Sequence, residues 1–240
     1  NYAYGVEFLE LTNGNGKEIN ATLGQINEVG YHGNVVMSKW PIVETKVTRL
    51  HELYEHLYKS KGTGQDAGER RLGGRMAMYT RTRMAKDRDI LVVAMHGHGG
   101  SKTNKLQKDA RTICADIKSF SNITAVFVGG DMAGVLADTL RNSCNMLPLN
   151  ETNTFRGKRA ANTWRVECPN GEKPRARFER GDWLVAGGAI ASKEDSIKTI
   201  HPFRKVPDNK YECISDHSMI EFTAVFGGDS STLAAREQAN

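Results

Sequence analysis

The stretch Ile123–Ala133 reads ITAVFVGGDMA. Ile123, Ala125, Val126, Phe127 and Val128 form a short apolar run with the length and β-branched content of a buried strand. The run stops at Gly129-Gly130, and the next residue is a carboxylate, Asp131. A core strand that delivers an acid to the rim of a sheet is a common frame for a metal or phosphate site, and glycines there let a ligand approach the backbone. A strand followed by an ordinary Gly-Asp turn has the same letters. Other strand ends separate the two readings. ILVVAMH (Ile90–His96) closes on a histidine, Ser215-Asp216-His217 precedes the apolar run that begins at Met219, and Arg180-Gly181-Asp182-Trp183 opens a strand with an acid.

Outward from these strands, the chain has 240 residues, enough for one large domain with a sizeable core. Charged residues make up 25% and hydrophobic residues 39%, the balance of soluble globular proteins. No apolar run approaches the roughly 18 residues that a membrane span needs. The net charge of +5 fits an anionic partner, nucleic acid or a phosphorylated small molecule. Cys114, Cys144, Cys168 and Cys213 contain no CxxC pair, which argues against a zinc site and leaves their pairing open. No signal peptide is visible, and the chain starts at Asn1, so a removed leader stays possible.

Alternation predicts strands over Tyr2–Leu11 and Arg71–Met84; Asn34–Lys39 reads as a short strand cut off by Pro41, Val43–Leu50 as its antiparallel neighbour, and Ile90–His96 as a second buried strand. Residues 12–33 read as a long surface loop, and residues 51–68 start with helical spacing before dissolving into a loop. Leu106, Ala110, Ile113, Cys114, Ile117 and Phe120 share one face of a helix that Ser101 or Thr103 would cap. A second helix is expected over Gly134–Asn142. The stretch from Leu147 to Arg180 reads as irregular, and three strands follow: Trp183–Ala191, Ile197–Phe203 and Met219–Phe226. Strands that outnumber interspersed helices fit a two-sheet core with outer helices better than a doubly wound parallel sheet.

Hydrolysis of a phosphate ester needs a divalent cation on carboxylates, a base for water, and donors around the developing charge. Asp131, Asp182, Asp216, His96 and His217 are groups of those kinds. A single histidine at a strand end is more often an ordinary polar rim residue, so the order of the signals carries the reading.

That order resembles the endonuclease/exonuclease/phosphatase superfamily, with its DNase I-like fold. YHGNVVMSKWPI (Tyr31–Ile42) is similar to the family's "hGNaiLSr-P" strand, and Arg75 follows in GGRMAMY. ILVVAMH matches the strand that ends in the family's first active-site histidine. VGGDMA resembles "GDxN", RGDWLVAG resembles "R-I-D-Y-hhh", and ISDHSMI (Ile214–Ile220) resembles the "SDHxPh" ending. The blocks occur in order from about Tyr2 to Phe226. The resemblance implies an α+β protein: a four-layer αββα sandwich of two mostly antiparallel sheets with outer helices, over residues 1–226; the tail, 227–240, reads from its own sequence as poorly ordered. It implies His217 as general base, oriented by Asp182. Asp131 would position water or metal, Asp216 would lie in or beside the metal shell, His96 would donate to the phosphate, and Arg75 and Asn34 would bind substrate. Mg²⁺ or Mn²⁺ is the implied ion.

The sequence departs from the family at two places. Ala133 stands where "GDxN" has its asparagine, which removes a donor worth about 100- to 1000-fold in rate. The family's Asn-bearing strand and the strand ending in Gln-Glu fall upstream of the position matching Tyr2, so the domain is expected to be N-terminally incomplete. Glu7, Glu10 and Glu28 lie outside any family context and receive no role. An H-x-H occurs at His96–His98, but the early D-x-H and central G-N-H-[DE] of calcineurin-like phosphoesterases do not accompany it. The expected function is a metal-dependent phosphoester hydrolase, foremost a nuclease, and next an inositol-phosphate phosphatase or sphingomyelinase-like enzyme. The alternative is a catalytically impaired member that serves as a binding or scaffold module. The basic run Arg70, Arg71, Arg75, Arg81, Arg83, Lys86 and Arg88 with Tyr79 tilts the expected substrate towards nucleic acid, although a solvated strand face has the same composition.

Overall fold

The computed structural model describes residues 1–10, 30–54, 71–97, 103–132, 134–148, 165–167, 175–177, 182–188, 190–192, 198–200, 203–205, 211–213 and 219–226. Side-chain alternation builds the first part as strands β1 (Tyr2–Glu10), β2 (Gly30–Met37), β3 (Ile42–Tyr54), β4 (Arg71–Ala85) and β5 (Arg88–His96). Helix α1 (Thr103–Ser119), β6 (Ile123–Asp131), helix α2 (Gly134–Cys144) and β7 (Leu147–Pro148) follow. The later strands are β8 (Arg165–Glu167), β9 (Arg175–Arg177), β10 (Asp182–Gly188), β11 (Ile190–Ser192), β12 (Lys198–Ile200), β13 (Phe203–Lys205), β14 (Tyr211–Cys213), β15 (Met219–Glu221) and β16 (Ala224–Phe226).

One mixed sheet runs β2-β1-β4-β5-β6-β10-β7, with β3 also paired to β4. Its β5–β6 pair is parallel, which requires the crossover that α1 supplies. Four local expectations give way to non-local pairing. Residues 51–54 extend β3 instead of opening a helix, and β3 pairs with β4 instead of β2. Gly30–Gly33 belong to β2, and β8 pairs with β9 inside the stretch expected to be irregular. Pairing with β4 and burial of Leu50 outweigh the helical spacing around residue 51. The tail, residues 227–240, lies outside the described residues.

The two faces of the sheet are covered differently. Along β5, Leu91, Val93 and Met95 point to one side and join Ala77, Tyr79, Val128 and Val185 beneath Leu106, Ile113, Leu136 and Leu140 of the helices. Each such aliphatic side chain contributes roughly 1.5–3 kcal/mol on burial. Polar ties pin α1 to β3. Asp116 accepts hydrogen bonds from Lys46 at 2.5 Å and from the Thr48 hydroxyl at 2.6 Å. Asp109, almost fully buried, accepts the His51 backbone N–H at 2.9 Å and contacts the His51 ring at 2.6 Å. Burial raises the Asp116 pKa, but hydrogen bonds from Lys46 and Thr48 and the Lys46 charge outweigh it, so the carboxyl stays below its usual range. A Cys114–Cys144 disulfide joins α1 to α2 and settles one pairing that the spacing left open.

On the other face, Ile90, Ala125, Phe127 and Ala186 pack against Phe222, Ala224 and Phe226. Beside them Val36, Met76 and Met78 pack with Ala3, Val92 and Ala94. The second cluster exists because β1 pairs with β4 only from Phe8 to Glu10 and then leaves it. From there the β1–β2 hairpin crosses over β4, so closely that a Cβ on Gly5 would sit 2.8 Å from the end of Met76 and 3.0 Å from the Met78 sulfur. A register shift between Val6 and Phe8 in β1 marks the departure. The described residues therefore supply a helix layer, a main sheet, and strands stacked on its opposite face.

Candidate functional site: a sheet-end row and a buried carboxylate

β5, β6 and β10 are neighbours, and their register aligns the three residues that the strand ends single out. His96 lies opposite Asp131 in the parallel pair, and Asp131 lies opposite Asp182 in the antiparallel pair. The His96 Nε2 is 3.7 Å from Asp131 Oδ2, and the Asp131 side chain is 46% exposed at the open end of the sheet. The Gly97 N–H donates to the Asp131 carbonyl at 2.6 Å and fixes the turn that leaves β5. Gly130 has φ +137°, and a Cβ there would collide with the Met95 carbonyl. That glycine therefore serves the close approach of β5. Asp216, His217 and Ala133 lie outside the described residues.

Behind His96 is a group to which the sequence reading assigned nothing. Glu7 is fully buried where β1 leaves β4, and partners from three other strands converge on it. His32 Nδ1, from β2, is 3.1 Å from Glu7 Oε2. His96 Nδ1, from β5, is 2.9 Å from the same oxygen. Arg75 Nη1, from β4, donates to Oε1 at 2.7 Å. The same Arg75 nitrogen is 2.6 Å from His96 Nδ1 and 2.5 Å from Nε2. Phe8 stacks on the His32 ring at 4.5 Å between centroids, and Arg49 donates to the Glu7 carbonyl. Burial pushes the Glu7 pKa up, but hydrogen bonds from His32 and His96, with the electrostatic pull of His96 and Arg75, hold it well below the usual carboxylate range. Asn34 stands on the same side, its Nδ2 3.5 Å from the Ala94 carbonyl. Of the residues expected at the site, His96, Arg75 and Asn34 thus gather around this corner, and Asp131 and Asp182 continue the row by register.

Glu7, His32 and His96 offer three ligand atoms within 4.8 Å of one another. Two are nitrogens, whereas Mg²⁺ and Mn²⁺ favour oxygen donors. Arg75 already sits against both Glu7 and His96, so the positive charge that a metal would bring is present as a guanidinium. Asp131, an oxygen donor half exposed beside the register position of Asp182, fits a hard cation better. The basic run is also largely engaged: Arg81 and Arg83 bind Asp89, Arg81 approaches Glu44, and Arg88 lies over the Phe226 ring. Arg83 and Arg81 hold the Asp89 carboxyl below its usual range, against the opposing effect of burial.

By likeness to solved structures, the chain has the DNase I-like fold seen in endonuclease/exonuclease/phosphatase proteins. It is similar to D. rerio TDP2 complexed with single strand DNA product, at 13% identity and a TM-score of 0.56 over 93% of this chain and 77% of that one. It is also similar to the Bacteroides thetaiotaomicron mannosyl-6-phosphatase Bt3783, at 14% identity and a TM-score of 0.54 over 94% of this chain and 77% of that one. An endonuclease/exonuclease/phosphatase from Bacteroides vulgatus matches at 13% identity and a TM-score of 0.52, over 94% and 76%. At these identities the likeness is one of fold. No family model matches the sequence, and no curated protein matches it. Among the described residues, no helix is long and apolar enough to cross a membrane.

Proposed function

We propose that the chain is a divalent-metal-dependent phosphoester hydrolase that cleaves phosphodiester bonds, with nucleic acid as its favoured substrate. The observation that carries this reading is the register of His96, Asp131 and Asp182 across three adjacent strands. Like charges opposite each other on neighbouring strands are unfavourable unless a cation or a proton donor compensates them. Mg²⁺ or Mn²⁺, held by Asp131 and Asp216, would neutralise phosphoryl charge. His217, oriented by Asp182, takes a proton from the attacking water. His96, Arg75 and Asn34 face the phosphoryl oxygens, where charge-assisted hydrogen bonds are strongest as negative charge develops. The fold of a protein complexed with single-strand DNA product supports the choice of nucleic acid, and that of a sugar-phosphate phosphatase supports the wider chemistry.

The test is turnover of single-stranded DNA, RNA and bis(p-nitrophenyl) phosphate by the full-length protein, with Mg²⁺ and with chelator. The expected result is metal-dependent cleavage that His217→Ala abolishes. Salt-sensitive nucleic-acid binding with no turnover on any substrate would favour the scaffold alternative, which Ala133 motivates. Ala133→Asn separates the two readings further, because a live but weakened site should speed up.

A further inference from the structure

We propose that Asn122 carries an N-linked glycan and that the chain matures in an oxidising secretory compartment. The proposal is independent of the hydrolase reading and joins two features of the α1–β6 region. The first is the acceptor triplet Asn122-Ile123-Thr124, an Asn-x-Thr with no proline between. The fold puts that triplet where a bulky sugar fits. α1 closes with the Phe120 N–H donating to the Ile117 carbonyl at 3.2 Å, and Asn122, at φ +58°, turns the chain into β6. Asn122 is exposed in this turn. β6 then runs nine residues, from Ile123 to Asp131. At roughly 3.3 Å per residue, Asn122 stands about 30 Å from Asp131, at the opposite end of the sheet. A glycan there leaves the row of His96, Asp131 and Asp182 uncovered.

The second feature is the Cys114–Cys144 disulfide, whose Cα atoms lie 5.4 Å apart. Thiols stay reduced in most cytosolic proteins, whereas disulfides form and persist along the secretory route, where N-glycans are also added. Asparagine suits a left-handed turn for its own sake, and chance alone supplies some Asn-x-Thr triplets. Neither fact accounts for an oxidised cysteine pair binding the same helix that leads into the turn. Two balanced steps are implied. The two thiols lose two protons and two electrons to a disulfide oxidant of the compartment. Asn122 Nδ2 forms a bond to C1 of a sugar as the C1–O bond to a lipid pyrophosphate breaks; the pyrophosphate leaves and Nδ2 gives up one proton. Asn20 and Asn150 head two further triplets, Asn20-Ala21-Thr22 and Asn150-Glu151-Thr152, which lie outside the described residues.

The test uses the protein made from its complete coding sequence in eukaryotic cells. Release of N-glycans by a peptide amidase in oxygen-18 water converts a glycosylated asparagine to a labelled aspartate. Trypsin then frees Ser119–Arg141, in which Asn122 is the single asparagine, so its mass reads this site alone. The expected result is a labelled Ser119–Arg141 peptide, and a disulfide linking Thr112–Lys118 to Asn142–Arg156 when digestion is done without reductant. Thr124→Val keeps the turn asparagine and a β-branched strand residue but removes the acceptor hydroxyl, and should abolish the label. Thr124→Ser restores the hydroxyl and should keep it. An unlabelled Ser119–Arg141 peptide overturns the proposal, as does a label confined to Asn20 or Asn150, or free thiols at Cys114 and Cys144. A label that persists in Thr124→Val marks spontaneous deamidation and overturns it as well. If Thr124→Val does not fold, the wild-type peptide and Thr124→Ser still decide. None of these readouts depends on turnover, so failure of the hydrolase reading leaves them intact.

Discussion

β5 is read from two sides. On its helix side, Leu91, Val93 and Met95 enter an aliphatic core closed by α1 and α2 and stapled by Cys114–Cys144. At the end of its opposite side, His96 meets a fully buried carboxylate shared with a second histidine and an arginine. The first region gains from area removed from water and tolerates small shifts. The second depends on a few short contacts, and a buried charge that loses its partner is costly. The comparison teaches a division of labour: one face makes the sheet rigid, and the other end of the same strand uses that rigidity to hold charge in place.

The largest effect that would break this contrast is expected from Glu7→Ala. Removing one partner of a buried ionic group should cost about 3–5 kcal/mol in urea unfolding, well above a surface carboxylate. Reducing Cys114–Cys144 should come next. The cysteines are 30 residues apart, and loop-closure entropy gives roughly 3–4 kcal/mol, seen as a lower midpoint in the presence of reductant. Asp131→Asn should do the reverse, slowing phosphodiester hydrolysis about 100- to 1000-fold while leaving unfolding within about 0.5 kcal/mol of wild type. Thr48→Val, which removes one donor to Asp116, should cost about 1 kcal/mol on the helix side and leave turnover unchanged.

Acid sharpens the comparison without mutation. Glu7, Asp89 and Asp116 are held below their ordinary values of 4.5, 3.8 and 3.8. The unfolded chain therefore takes up these protons first as pH falls, and stability present above about pH 5 declines through and below the ordinary values until the folded carboxyls protonate. Urea midpoints at pH 7 and pH 3.5 should show this loss, with a shallower slope in Glu7→Gln.

Much of the main sheet was legible because strand patterns are local: β1 and β4 fall where period-two alternation places them, β5 and β6 where short apolar runs do, and the stripe from Leu106 to Phe120 gives α1. The row of His96, Asp131 and Asp182 was legible because strand ends are read from the strands themselves. Which strand pairs with β3, and that residues 51–54 extend it, depends on β4 some 25 residues away and left no local trace. Glu7 was illegible for a related reason. A charged residue in an alternating strand reads as solvent-facing by default, and only the crossing of β1 over the sheet turns it inward. A trace was present nonetheless: Ala3, Gly5 and Glu7 share one side of the alternation, and two small residues followed by an acid mark a face pressed against something. His32 stood inside the quoted YHGN block, next to the residue that drew attention.

The irregularity between Val6 and Phe8 has a consequence for how this chain tolerates length change. In a strand, a shift by one position exchanges which side every residue faces. Deleting or inserting a single residue there would present valine or phenylalanine to Arg75, His96 and His32 in place of the acid. The hairpin would still have apolar residues to lay against Met76 and Met78, so such a variant is expected to stay folded with its ionic junction erased.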